Sequence, residues 1–597
     1  MTFVNWRNMA LVASLAAPAA CFSNPLAQFP FTPSYFNLFG EQETHPSTRN
    51  VINDEFSEYV ERMTELWEVQ GTTIAVVRPD GEVELGAWGV RSEEGDKVTP
   101  KTLMNIASCS KAFLASTMGI LMDEFQQGRN QTPLPHGVDS FTWNTKVKDL
   151  LPNDWELQDH WADEKVDILD ILSHRSGLPR HEASYSTHDT GLDLIKRMKY
   201  LRLAYEPRQK FAYNNQMYTT GAYIIKKFSP THDYPDFVED RIFSPLGMKS
   251  STFSPSVARK SGNLTQSWTA HSQRIPFWYP DSAVDVVAGL GGIITNVIDL
   301  SKWLKVLLNK GIDPISNKTI FPRSVYDILT APHILMDGNP SAPHEFSISG
   351  YGMGWWRSSF KGHEMIQHTG AIPGFSSSIA FFPNDGLGIA ILMNTADKET
   401  VNQAIQLRIA EDVLGLSRTP RAEDPKAVYP ERPPREPNAN SSLPLSAYAG
   451  TYHNPGYGSF TLCAPSSPSP YCEKVLDEFA TVDKAQSVPL PPNSSTPQLY
   501  AQWSRFWSTH IRMVHVECDT FDIAFTSLFP EGYGASKKPF EVFVMDNYAG
   551  QAKFLLNEEG DRIEGFGYFG LDDAGMQHAL GDASGVKRGS IVWFDKI

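Results

Sequence analysis

Residues 108–125 read SCSKAFLASTMGILMDEF. After a first turn of small and polar residues the run is nearly all apolar, so it offers no solvent face and predicts a buried central helix. Ser108 and Lys111 at its start are three residues apart, which puts both side chains on one helical face. A serine hydroxyl is a poor nucleophile until a neighbouring base takes its proton. A lysine amine can be that base once burial and nearby cations lower its pKa. A serine where a helix begins also lies beside orphan backbone N–H groups that can hold an oxyanion. Cys109, between the two, reads as a small buried residue. The same spacing recurs at Ser358 to Lys361 and at Ser584 to Lys587, but neither pair opens an apolar helix.

Outward from this helix, TTIAVV (72–77) and EVELGAWG (82–89) flank Arg78-Pro79-Asp80-Gly81, a run with hairpin turn chemistry. HEMIQHTG (363–370) and SSIAFFPNDGLGIAILMN (377–394) read as further strands around a second turn at Asp385-Gly386. Strands at both ends with helices between predict an α+β domain whose antiparallel sheet gathers both termini. From Pro420 to Pro444 seven prolines lie among charged and small polar residues, the composition of a semi-rigid linker. Beyond it, YGSFTLC, FEVFVMD, AKFLLNEEGDRIEGFGYF and GSIVWFDKI are short aromatic and β-branched runs. They predict an all-β barrel or sandwich. The expected division is a targeting segment at 1–28, a catalytic domain at 29–419, a linker at 420–444 and a β-domain at 445–597.

Composition narrows the classes. A net charge of −16 over 597 residues disfavours nucleic acid and anionic membrane surfaces as main partners. No apolar run reaches the ~18 residues of a membrane span. Arg7 followed by the alanine-rich Met9 to Ala20 reads as a secretory signal, with a cytoplasmic location as the alternative. Five sequons (Asn130, Asn263, Asn317, Asn440, Asn493) agree with secretion, although their number is near chance. Cys463 and Cys472 flank a Pro/Ser loop and could close a disulfide in an oxidising compartment. The sixteen histidines include no HExxH, and His174, His181 and His188 lie in polar loop sequence without helical pairing, a poor pattern for a metal site.

Two further segments carry chemistry. In QKFAYNNQMYTTGAYII, Tyr213 offers a phenol able to pass protons, and Asn215 a carboxamide two residues on. Taken alone Tyr213 reads as an ordinary half-buried aromatic, and Y-x-N also occurs at Tyr35 and Tyr452. In IQHTGAIPGFSSSIAFF, His368 and Thr369 precede Gly370, which permits close backbone approach, and the N–H of Ala371 can complete an oxyanion hole. Alone, His368 reads as a surface histidine before a turn.

Taken together and in this order, Ser108-Cys-Ser-Lys111, Tyr213-Asn-Asn215 and His368-Thr-Gly370 resemble the serine β-lactamase and penicillin-binding-protein superfamily. The set is similar to its class C-type branch, with esterases, D-aminopeptidases and fungal transesterases. ILSHRSGLP (171–179), AGLGGIITNVIDLSKWL (288–304), GYGMGWW (350–356) and GIAILMN (388–394) strengthen the likeness, which covers roughly residues 50 to 415. The segment opening LSAYAGTYHNPGYGSF resembles the lipocalin-like barrel appended to some members.

The resemblance implies a β-lactamase/transpeptidase-like fold and acyl transfer through a serine ester, with no metal or organic cofactor. Ser108 would be the acylated nucleophile, Lys111 its proton acceptor, and Tyr213 the donor to the leaving group. Asn215 would position Lys111 and the acyl amide. His368 would bond toward Tyr213 or the substrate, and Ser108 and Ala371 would supply oxyanion N–H groups beside Thr369 and Gly370. A histidine where efficient penicillin-handling members often have lysine tilts the expectation toward a small ester, amide or peptide-like substrate. An acyltransferase sharing the same acyl-enzyme and a non-catalytic ligand-binding protein are the alternatives. The aromatic stretches 266–280 and 351–359 are candidates for pocket walls, with core or surface packing as the alternative. Oligomeric state is not legible.

Overall fold

The computed structural model describes residues 50–340, 345–423, 425, 440–485, 496–543, 550–570 and 585–597. The described residues form one compact unit. The expected targeting segment, Asn493 and most of the Pro-rich stretch lie outside the described residues.

The N-terminal sheet holds β1 (Gly71–Val77), β2 (Val83–Gly89), β3 (Ile334–Asp337), β4 (Ser349–Tyr351), β5 (Trp356–Phe360), β6 (His363–Ile372), β7 (Phe375–Phe382) and β8 (Leu387–Met393). Its order is β2-β1-β8-β7-β6-β5-β4-β3, antiparallel throughout. The first hairpin thus pairs with the last strand, Thr72 opposite Met393 and Val77 opposite Gly388, as the pattern of both runs predicts.

These two strands lack polar alternation because both faces are covered. Ile74 and Val76 of β1, with Ile389 and Ile391 of β8, meet the helices α1 (Asp54–Leu66) and α6 (Glu399–Leu414). Ala75 and Val77, with Ala390 and Leu392, face the main core. There lie α2 (Ser110–Gln126), α3 (Asn215–Phe228), α4 (Val284–Gly291) and α5 (Val297–Leu308). The apolar run after Ser108 is buried on all sides, with Phe113 stacked on Trp303 of α5 at 4.4 Å. Ser108 itself stands one 3₁₀ turn before the α-helix proper.

The C-terminal region folds as a nearly closed antiparallel barrel-like sheet. Its strands are β9 (Gly450–Asn454), β10 (Gly458–Leu462), β11 (Gln498–Gln502), β12 (His510–Glu517), β13 (Thr520–Phe529), β14 (Phe540–Phe543), β15 (Gly550–Leu556), β16 (Ile563–Phe569) and β17 (Val592–Lys596). The order is β10-β9-β17-β16-β15-β13-β12-β11, with β14 added to β13. Cys463, just past β10, exchanges backbone bonds with Tyr500 of β11 and draws the two ends together. Tyr452, Phe460, Phe554, Phe566 and Phe594 pack inside.

One longer helix accompanies the strands of this region. A 16-residue helix, α7 (Pro470–Ala485), lays Val475, Phe479 and Val482 against Leu528 of β13. It starts beside the Cys463–Cys472 disulfide, which closes the Pro/Ser loop. Among the described residues no helix is long and apolar enough to cross a membrane. The sequon at Asn130 is buried, its amide donating to the Phe228 carbonyl at 2.9 Å, so that position is closed to a glycan.

Candidate active site

Ser108 sits in a turn held open by its neighbours. Ala107 has φ 47°, a left-handed conformation that costs a non-glycine residue on the order of 1 kcal/mol. Asn105 stabilises that turn by accepting the Ala107 N–H at 2.6 Å. Strand β6 presses against it from outside. A Cβ on Gly370 would lie 2.4 Å from the Ile106 carbonyl oxygen, so only glycine lets the strand come this close. Ser377 of β7 donates to the same carbonyl at 2.8 Å, and the Cys109 thiol donates to the His368 carbonyl at 3.2 Å. Cys109 is buried, and burial pushes its thiol up to about 12. It fastens the turn to the sheet.

Three of the sequence-predicted side chains converge. Lys111 Nζ is 3.0 Å from Ser108 Oγ and 2.5 Å from the Leu290 carbonyl at the end of α4. Tyr213 donates its phenol proton to Ser108 Oγ at 2.7 Å. Ser108 stays partly exposed, whereas Lys111 has no exposed surface. Burial holds the Lys111 amine well below the ordinary lysine range; the Glu182 carboxylate opposes this and the Arg180 guanidinium adds to it. A neutral amine beside a serine hydroxyl can accept its proton.

Tyr213 is fixed by groups the sequence did not single out. The Arg180 guanidinium lies 4.3 Å from its ring centre and the His174 ring 4.2 Å. His174 Nδ1 accepts the Asn214 N–H at 3.0 Å, and the His174 carbonyl accepts the Ala212 N–H at 2.8 Å. Both residues flanking Tyr213 are therefore held by one histidine. Asn214 caps α3, its side chain accepting the Met217 N–H, which sets Asn215 at the first helical position.

Two expectations change here. Asn215 donates its amide to Glu182 at 2.7 Å, while Lys111 is bonded by Ser108 and Leu290; the Asn215 carbonyl oxygen is buried with no hydrogen-bond partner. His368 is buried and does not bond Tyr213. Its Nδ1 lies 2.5 Å from the Thr369 carbonyl, so that nitrogen carries the proton, and Nε2 accepts from the Tyr351 hydroxyl at 3.1 Å. Trp356 covers its other side, ring centres 5.2 Å apart. Burial and then the Lys111 charge lower the His368 pKa to about 3, so the ring is neutral. The reading of a surface histidine fails because β5 and β4 bring aromatic side chains over it. Thr369 and Ala371 flank Gly370 on β6; Ala371 is exposed and pairs with Ser376 of β7.

Glu182 is the residue that sequence reasoning missed. Its carboxyl is buried, 3.7 Å from Arg180 and bonded to Asn215, and burial raises its pKa against the pull of Arg180 and Lys111. His174 and His181, in what reads as polar loop, are likewise buried and held neutral by desolvation. The aromatic stretches also take defined places. Tyr351 and Trp356 bracket His368, and Trp278 stands against Trp507 at 4.5 Å.

The sequence model of the family described as Beta-lactamase matches residues 60–413. An unguisins hydrolase of Aspergillus campestris is 27% identical over 438 residues, covering 69% of this chain and 78% of that protein. One from Aspergillus violaceofuscus is 26% identical over 449 residues, covering 69% and 76%. An N-acetylmuramyl-L-alanine amidase of Bacillus subtilis is 23% identical, covering 54% of this chain and 77% of its own. The octameric penicillin-binding protein homologue from Pyrococcus abyssi superposes with a TM-score of 0.51 at 18% identity, over 84% of this chain and 96% of that one. That likeness is one of fold.

Proposed function

The chain belongs to the β-lactamase family, and from that premise we propose that it is a serine hydrolase cleaving an ester or amide through an acyl-Ser108 intermediate. The observation that carries this reading is the pair of distances at one oxygen, 3.0 Å from Lys111 Nζ and 2.7 Å from the Tyr213 hydroxyl. In the first step Ser108 Oγ bonds the substrate carbonyl carbon while its proton passes to the Lys111 amine. The carbon–leaving-group bond then breaks, and the leaving group takes a proton from Tyr213. In the second step water attacks the acyl ester, its proton passes to the Tyr213 phenolate, and Lys111 returns its proton to Ser108 Oγ as the ester bond breaks. The Ser108 and Ala371 N–H groups would carry the oxyanion.

A neutral His368 supplies no cation for a substrate carboxylate, which favours an ester or amide over a penicillin. The relatives' names, hydrolase and amidase, favour water over another acyl acceptor and an amide as the bond cleaved. The open Asn215 carbonyl oxygen is suited to accept an amide N–H of such a substrate. A signal-directed, secreted location remains part of this reading.

The test is intact-mass spectrometry of wild type and Ser108→Ala after brief exposure to short-chain p-nitrophenyl esters, a D-amino-acid amide and a penicillin. A Ser108-dependent acyl adduct with the ester or amide is expected. No adduct and no turnover with any reagent would overturn it in favour of a binding protein.

A further inference from the structure

The segment Arg180–Tyr185 is held from two sides. Toward the nucleophile, Glu182 accepts the Asn215 amide and Arg180 covers the Tyr213 ring. On the other side its partners come from the C-terminal sheet. His181 Nε2 lies 2.9 Å from the Arg202 carbonyl, so it carries the ring proton, and Nδ1 accepts from the Tyr457 hydroxyl at 2.8 Å. Tyr457 sits in the turn between β9 and β10. Tyr185 gives its carbonyl to the Phe506 N–H at 2.9 Å and its hydroxyl to the Trp507 indole N–H at 2.8 Å. Phe506 and Trp507 stand between β11 and β12. All three bonds fall on the immediate neighbourhood of Glu182, and Tyr185 and Phe506 share one buried cluster.

We infer that Tyr457 and Trp507 are positioning residues for the acyl-transfer site, acting through the 180–185 segment to hold the Glu182 carboxyl against Asn215. This rests on the hydrolase reading above and assigns the C-terminal sheet a part in it. The charge that Glu182 places near Lys111 is set by where this segment stands. Facing that carboxyl are Lys111 from α2, Arg180 from its own segment, Asn215 from α3, and the phenols of Tyr185 and Tyr457. A shift of the segment therefore alters the amine that must accept the Ser108 proton, and leaves Ser108 itself where it is.

Tyr457→Phe and Trp507→Phe remove the bonds and keep most of the packing. The experiment measures the rate at which a fluorophosphonate probe labels Ser108, between pH 5 and 10, in wild type, the Tyr457→Phe/Trp507→Phe double variant, Glu182→Gln, and all three changes combined. Hydrogen exchange of residues 180–185 is followed in parallel. The expected result is labelling at least tenfold slower in the double variant, a displaced pH midpoint and faster exchange in the segment. Glu182→Gln should give a similar displacement, and the combined variant little further loss. Labelling and midpoint as in wild type, or losses that simply multiply with Glu182→Gln, would overturn the inference while leaving the hydrolase reading intact. Wild type that fails to label at Ser108 would overturn both.

Discussion

The ring of His174 lies 4.2 Å from that of Tyr213, and the same histidine binds the backbone on each side of it, at Ala212 and Asn214. One residue, through its ring nitrogen on one side and its backbone carbonyl on the other, thus holds the phenol that meets Ser108. His174 has φ 56°, a conformation that asparagine tolerates better than alanine. His174→Asn keeps an acceptor near the Asn214 N–H and should retain the greater part of Ser108 acylation. His174→Ala removes it and should lower kcat by about 10²-fold or more, in the range typical of lost proton-transfer geometry. Equal rates in the two variants would show that the Asn214 bond is not what positions Tyr213.

Lys111 gives a second expectation. Burial holds its pKa well below the ordinary lysine range, which suits it to accept a proton, so Lys111→Ala should lose about 10²- to 10⁴-fold in the acylation rate with little change in ground-state binding. The sign of the pH dependence follows from the shift. The reactive form is the deprotonated amine, so acylation should rise with pH and level off below the ordinary lysine range. Stopped-flow acylation across pH 5 to 10 measures both the rise and its midpoint.

At Gly370 a methyl group would strike the Ile106 carbonyl oxygen and the Ser377 hydroxyl oxygen, each at 2.4 Å. The carbonyl is backbone and cannot rotate away. Gly370→Ala should cost about 1–3 kcal/mol of stability, visible as a lower Tm, and should slow acylation by moving Ser108. A Tm and rate matching wild type would mean that β6 can retreat without disturbing the nucleophile.

Buried histidines set a pH dependence of stability. His181 is lowered to about 4 and His368 to about 3, whereas the unfolded chain protonates both near 6.5. Between those values the unfolded state binds more protons, so this contribution is full above about 6.5 and is lost as pH falls toward 4. Each histidine is worth at most about 1.4 kcal/mol per pH unit in that window. Glu182 and Glu399, whose carboxyls burial raises, work in the opposite direction. The clean measurement is therefore a comparison. Thermal melts of His368→Gln should decline less between pH 6.5 and 4.5 than those of wild type.

That Ser108, Lys111 and Tyr213 meet at one oxygen was legible from the residue types and the order of their motifs. The hairpin at 71–89 and the strand at 387–393 were legible as apolar runs around turns. Glu182 was not. A lone acid in a loop has no period, and its neighbour His181 is held by the Tyr457 turn more than 270 residues downstream. His368 and His174 misled for the same reason, since polar neighbours in sequence do not record the aromatic rings of Tyr351, Trp356 and Tyr213 packed on them. In α7 the apolar spacing of Val475, Phe479 and Val482 is helical, but it lies in a region whose other signals are those of strands.

The pairing of Thr72 with Met393 bears on how the enzyme is made. At a synthesis rate of about 5–20 residues per second, β1 emerges from the ribosome tens of seconds before its partner β8 exists. The turn at Ala107 waits for Gly370 over a similar stretch, because β6 is what presses the left-handed backbone into place. Until then the turn that carries Ser108 lacks the strand that holds it, so the arrangement around that hydroxyl is a late product of completing the sheet.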